Sequence, residues 1–178
     1  MGNPGDDPIY RNSDADMPSF VGISTFLQSP LIQTSEGLRE RGVEVAIMGA
    51  PFDMGVVNRP GARFGPRAIR QAGYFGAPND DLYHMGLQVY PTDILSVADF
   101  GDANCPPSSL ERSHEAIQTK VSECLKAGAL PIVVGGDHSI TLPSATAVSN
   151  HYGPGKVGIV HFDAHADTAP ATYGGVLA

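Results

Sequence analysis

The sequence predicts an α/β domain built on a mainly parallel sheet, and three observations carry that reading. Residues 43–50 form a near-continuous apolar run, interrupted only by Glu44 and closed by Pro51, as expected of a strand covered on both faces. Residues 130–134 and 157–162 are two more apolar runs, and a helix is expected between them over 139–151. Two strands joined by a helix of that length make a right-handed crossover, which sets them parallel in one sheet.

Length and composition bound what such a domain does. At 178 residues the chain suffices for one ordinary domain, and its 21 glycines and 15 prolines imply many tight turns. A formal charge of −8 opposes nucleic-acid binding, which needs a concentrated basic surface. Cys105 and Cys124 form no paired-cysteine pattern, so neither a disulfide framework nor a thiolate zinc site is expected. No basic leader and no apolar run of roughly 18 residues is present, so a cytoplasmic chain that does not enter a membrane is expected.

Taken in order, residues 1–42 read as an N-terminal arm rich in Gly, Pro, Asp and Ser, with an apolar island at 20–27. It packs on the surface or meets another subunit, and the sequence does not choose between the two. Residues 43–178 then form the domain. After the first strand, the loop from Asn58 to Gly65 feeds a helix that starts at Pro66 and runs to Gly73. Arg59, Arg63, Arg67 and Arg70 fall at spacings of four, four and three, so those inside the helix can share a face, but the forked guanidinium donors favour anchoring of the loop over an anion site. Residues 74–93 read as a long connection, and 94–100 as the second strand. The clearest helix carries Leu110, Ile117, Val121, Cys124 and Leu125 at helical spacing, with Ser108 and Glu111 as a capping box and Gly128 as its end. Cys124 belongs to that buried stripe, as a core thiol.

The chemistry is concentrated in two segments just past predicted strands. Gly135-Gly136-Asp137-His138-Ser139 places an imidazole after a glycine pair, and His161-Phe162-Asp163-Ala164-His165-Ala166-Asp167-Thr168 alternates carboxylate, imidazole and carboxylate. In an extended run Asp163, His165 and Asp167 project to one side. Ligands in open α/β sheets bind beyond the carboxyl ends of the strands, so His138 joins them at one rim. His138, Asp163, His165 and Asp167 are therefore the candidate metal ligands. With nitrogen and oxygen donors and no thiolate, the set suits Mn(II), Ni(II), Fe(II) or Zn(II), and Asp163 is placed to bridge two ions. Asp137 points away from His138 and is assigned a capping or supporting role. His161 lies inside the apolar run and is expected to be a satisfied core histidine.

These two motifs, with Gly49-Ala50-Pro51-Phe52-Asp53 and Asn58-Arg59-Pro60-Gly61-Ala62-Arg63-Phe64-Gly65-Pro66, resemble the ureohydrolase (arginase and agmatinase) family, on the agmatinase-like side. The resemblance runs from about residue 43 to the end of the chain. It implies a three-layer α/β/α fold, incomplete in this chain, and two divalent ions, manganese first and nickel second. By motif match, His138, Asp163 and Asp167 hold one ion, and Asp163 with His165 the other. The implied reaction is hydrolysis of the guanidino group of agmatine or a guanidino acid to urea and an amine, in a homo-oligomer. No catalytic residue is assigned beyond the metal ligands.

The family supplies two further carboxylates from a later Asp-x-Asp motif, which does not occur within these 178 residues after Asp167. The polypeptide alone is therefore expected to bind metal weakly and to hydrolyse little. Three alternatives stand beside the leading reading: hydrolysis of free guanidine, a truncated non-catalytic relative acting as a subunit or regulator, and a metal-dependent deacetylase. The 58–66 segment and the paired-metal run speak against the last.

Overall fold

Strand β1 (Val45–Ala50) is buried along its whole length and is the centre of a three-stranded parallel sheet with order β2-β1-β3. The computed structural model describes residues 21–72 and 83–167. Strand β2 (Val97–Asp102) pairs with β1 from Val45 opposite Val97, and β3 (Leu130–Gly135) pairs with it in unbroken register from Val45 opposite Leu130 to Ala50 opposite Gly135. Both ladders are parallel, so the apolar run at 43–50 is what a central strand requires.

Helices cover both faces. Ala46, Met48 and Ala50 enter one core with Leu38 of α1 (Ser35–Glu40) and with Ile117, Val121, Cys124 and Leu125 of α4 (Leu110–Ala127). Burying each of the larger α4 side chains contributes roughly 1.5–3 kcal/mol. On the opposite face, a Cβ at Gly49 would stand 2.9 Å from Cβ of Pro66 in α2 (Gly65–Ala72), so glycine lets that helix sit close to the strand. This is the α/β/α layering expected. It is incompletely covered, because Leu130 and Ile132 of β3 remain 61% and 44% exposed on the α2 side.

Phe26 and Ile32 from the described part of the N-terminal stretch are buried, and Ile32 joins the same core. Residues 1–20 of the expected arm lie outside the described residues. So do Gly73, the expected end of α2, and most of the connection that follows.

Several boundaries move for local reasons. Pro91 opens a one-turn helix, α3 (Pro91–Ile94), so β2 begins at Val97 rather than at residue 94. The α4 cap is Ser109, whose Oγ accepts from the Arg112 amide, and not Ser108. Gly128 ends the helix in the left-handed region, as the sequence predicts. Cys124 is buried with its thiol 3.4 Å from the Ala129 carbonyl, and burial pushes its pKa up to about 12. After a short 3-10 turn, α5 (Thr141–Tyr152) follows β3 and packs against α4.

Residues 157–162 form no strand. Every one of them is exposed, and Phe162 is 94% exposed. An apolar run becomes a strand only where a neighbour takes up its backbone hydrogen bonds, and none of the described residues pairs with this one. The parallel sheet expected from the crossover is present, but through β1 and its two neighbours.

Arg70 fixes the end of α2 to the sheet. Its guanidinium donates to both carboxylate oxygens of fully buried Asp99, at 2.7 and 2.9 Å, and to Asp102 at 2.7 Å, with its carbon 4.0 Å from the centre of the Phe26 ring. Among the described residues, no buried side-chain nitrogen or oxygen lacks a hydrogen-bond partner.

Candidate metal centre

His138 is set in place by a turn that few other sequences can make. Gly136 has φ 98°, and a Cβ there would stand 2.4 Å from the Ala50 carbonyl oxygen and 2.9 Å from that of Phe52. Glycine alone lets the chain cross the end of β1 so closely. Asp137 then locks the turn. Its amide donates to the Phe52 carbonyl at 2.8 Å, its Oδ2 accepts from the Gly55 amide at 2.7 Å, and its Oδ1 accepts from the Ser139 amide at 3.0 Å and the Ser139 hydroxyl at 2.6 Å. Asp137 thus caps the 3-10 turn His138–Ile140, while the His138 side chain stays 41% exposed at the rim.

The 58–65 loop is seated against this turn. Asp53 accepts from the Gly61 amide at 2.8 Å, the Arg63 amide at 3.2 Å and the Arg63 guanidinium. Those bonds, led by the guanidinium, hold the Asp53 carboxyl below its ordinary value. The Gly136 amide donates to the Ala62 carbonyl at 3.2 Å, and a Cβ at Gly65 would lie 2.6 Å from the Gly135 carbonyl oxygen. Arg63 and Arg70 are anchors, as their chemistry suggests. The other two arginines, Arg59 and Arg67, are exposed.

The second segment arrives by a different path from the one its alternation implies. Asp163 Oδ1 accepts from the His165 amide at 3.0 Å, which bends the chain and ends the extended geometry. That amide is the main reason the Asp163 carboxyl is held below its usual range, with His161 adding to it. His165 is turned out and is 82% exposed, its Nδ1 3.8 Å from Asp163 Oδ1. Asp167, at φ 47°, brings its Oδ2 to 3.0 Å from His138 Nε2. Asp163 Oδ2 lies 3.7 Å from His138 Nδ1. Thr168 falls outside the described residues.

His161 corrects the sequence reading. With 157–162 unpaired among the described residues, it lies outside the core; its side chain is 36% exposed, its Nε2 is 3.4 Å from Asp163 Oδ2, and its ring centre is 5.3 Å from that of His138. The signal was present, since His161 shares the parity of Asp163, but the apolar run around it argued for burial. One ligand-type atom from each of His138, His161, Asp163 and Asp167 lies within 4.8 Å of the others, and His165 is outside that group. Two imidazole nitrogens and two carboxylate oxygens so gathered fit a divalent cation of borderline or hard character.

A parallel α/β sheet with such donors at its carboxyl rim places the chain in the class of α/β domains that carry their chemistry beyond the strand ends. Within that class it belongs to the arginase family, whose profile matches residues 43–176. It is 38% identical over 160 residues to proclavaminate amidinohydrolase of Streptomyces clavuligerus, covering 89% of this chain and 47% of that protein. The structure of a proclavaminate amidinohydrolase from that organism superposes with a TM-score of 0.76 at 35% identity, over 90% of this chain and 50% of the other. Guanidinobutyrase of Pseudomonas aeruginosa is 38% identical, covering 92% of this chain and 49% of that protein, and mitochondrial agmatinase of Gallus gallus 39%, covering 86% and 42%. A Trypanosoma cruzi formiminoglutamase structure with Mn2+ matches at TM-score 0.67 and 30% identity, over 86% of this chain and 48% of that one. The chain spans about half the length of the curated relatives it matches. These names agree with the agmatinase-like character of residues 58–66. No described helix is long and apolar enough to cross a membrane.

Proposed function

We propose that this chain supplies part of the metal centre of an amidinohydrolase that cleaves the guanidino group of agmatine or a guanidino acid to urea and an amine. The observation that carries the reading is the position of Asp163. Its Oδ2 faces His138 and His161 and its Oδ1 faces His165, so both oxygens of one carboxylate are presented to histidines. His138, Asp163 and Asp167 would hold one divalent ion, and Asp163 with His165 the other. Manganese is the first candidate, in line with the T. cruzi neighbour, and nickel the second, as the family resemblance implies.

Divalent ions bound there would supply Lewis acidity and lower the pKa of water toward neutrality. The chain's own residues do the remaining work at the rim. Asp137 keeps the His138 turn fixed on the loop after β1, and the Asp53 to Arg63 bonds hold the 58–65 loop against it. In the overall reaction the oxygen of water bonds to the guanidinium carbon and becomes the carbonyl of urea, the bond from that carbon to the alkyl-bearing nitrogen breaks, and both protons of water end on the departing amine, which leaves as an alkylammonium ion. The same reading includes a cytoplasmic homo-oligomer, a small guanidino substrate, and no nucleic-acid or membrane partner.

The test is urea release by the complete protein across a panel of agmatine, guanidinobutyrate, guanidinopropionate and free guanidine, with manganese or nickel added back after stripping; this chain alone is expected to release little. Release that needs the metal and falls at least about a hundredfold in Asp163→Asn is expected. No urea from any compound with either metal contradicts it. A second reading, a non-catalytic relative acting as a subunit or regulator, is favoured by the exposure of Leu130, Ile132 and residues 157–162. It predicts co-purification with an active longer relative and no urea release by this chain alone.

A further inference from the structure

A histidine outside every motif touches the metal turn from behind. His114, on the first half of α4, places Nε2 3.1 Å from Ser139 Oγ, and its ring meets the edge of Phe52 with centres 5.7 Å apart. Ser139 is 8% exposed and Asp137 9% exposed, so this contact lies inside the molecule, whereas the side chain of His138 between them faces the rim.

The protons in the cluster can be assigned. Asp137 Oδ1 accepts from the Ser139 hydroxyl at 2.6 Å, which uses the one hydroxyl proton. Ser139 Oγ is then an acceptor, and His114 must present Nε2–H to it. Burial lowers the His114 pKa and so favours the neutral ring, in which the bond to Ser139 selects the Nε2–H tautomer. With Oδ1 occupied by Ser139, Asp137 Oδ2 is left for the Gly55 amide at 2.7 Å. The chain of bonds therefore runs from α4 through the turn to the loop after β1, and the residue enclosed by it is His138.

We propose that His114 is a positioning residue: its Nε2–H, acting through Ser139 and Asp137, holds the backbone of His138 in the orientation used for metal. The inference rests on the reading of His138 as a ligand, and it reaches beyond the family motifs because His114 belongs to none of them. The replacement that separates donor from bulk is Gln, whose amide nitrogen still donates, against Leu, which keeps the packing on Phe52 and donates nothing.

Three readouts on the full chain decide it. Nitrogen-15 correlation spectra of wild type at neutral pH show His114 protonated at Nε2; the neutral Nδ1–H tautomer overturns the proposal. Exchange of the Gly55 amide is about fivefold faster in His114→Leu and near wild type in His114→Gln; equal exchange in all three overturns it. Manganese affinity, read from the electron-paramagnetic signal of free ion, falls about tenfold in His114→Leu and is restored in His114→Gln. Equal affinity in wild type and both variants, or an equal loss in Leu and Gln, overturns the positioning role. If wild type binds no manganese, the ligand reading of His138 and the positioning role built on it fall together. If wild type binds manganese and the tautomer or exchange result fails, the relay falls alone.

Discussion

The turn after β3 and the segment at 157–167 both present metal-type side chains, and both follow an apolar run, yet they are built in opposite ways. The turn is held on every side: Gly136 lies against the carbonyls of Ala50 and Phe52, and Asp137 makes bonds to Phe52, Gly55 and Ser139. The segment is exposed throughout, and the bond that shapes it lies within itself, from the His165 amide to Asp163. A strand pattern in sequence states which side chains want cover. Whether a strand forms depends on a neighbour, which β3 has in β1 and residues 157–162 do not have among the described residues.

That contrast is sharpened by three changes, in order of expected effect. Arg70→Met leaves the fully buried Asp99 carboxylate without its charge partner and should cost about 3–5 kcal/mol in urea unfolding. A loss below about 1 kcal/mol would show that the sheet half is not held as described.

The next is a pH effect at Asp53. Its folded-state carboxyl is held below the ordinary 3.8, chiefly by Arg63, so its contribution to stability is fully present above that value and is lost as pH falls through the lowered one. Stability of Asp53→Asn should therefore fall less steeply than that of wild type between about pH 4 and pH 2. Parallel curves would remove the Asp53 to Arg63 pair as a clamp on the 58–65 loop.

The smallest effect is expected in the exposed segment. Phe162 is 94% exposed, and Phe162→Ser should change unfolding free energy by less than about 0.5 kcal/mol. A loss of the size seen at a buried phenylalanine would mean that the segment is covered in solution.

The contrast also explains how far the sequence could be read. The central strand, the long α4 helix with Gly128 at its end and the parallel α/β class follow from patterns that one element or one pairing satisfies. The Ser108 cap failed because Ser109 offers the same hydroxyl one residue on, and only the entry angle of the chain decides between them. His161 was placed in the core because its neighbours are apolar, and cover by a sheet cannot be read from the covered run. His165 was grouped with Asp163 and Asp167 by alternation, which the Asp163 side chain itself breaks by accepting from the chain two residues on. His114 carried no signal at all, because its partner is 25 residues away on a different element.

The central claim is that His138, Asp163 and Asp167 meet around a divalent ion at the sheet rim. Anomalous diffraction at the manganese edge from crystals grown with Mn2+ tests it directly. A peak within coordination distance of all three side chains is the predicted result; no manganese peak there, or one only at other residues, would contradict it.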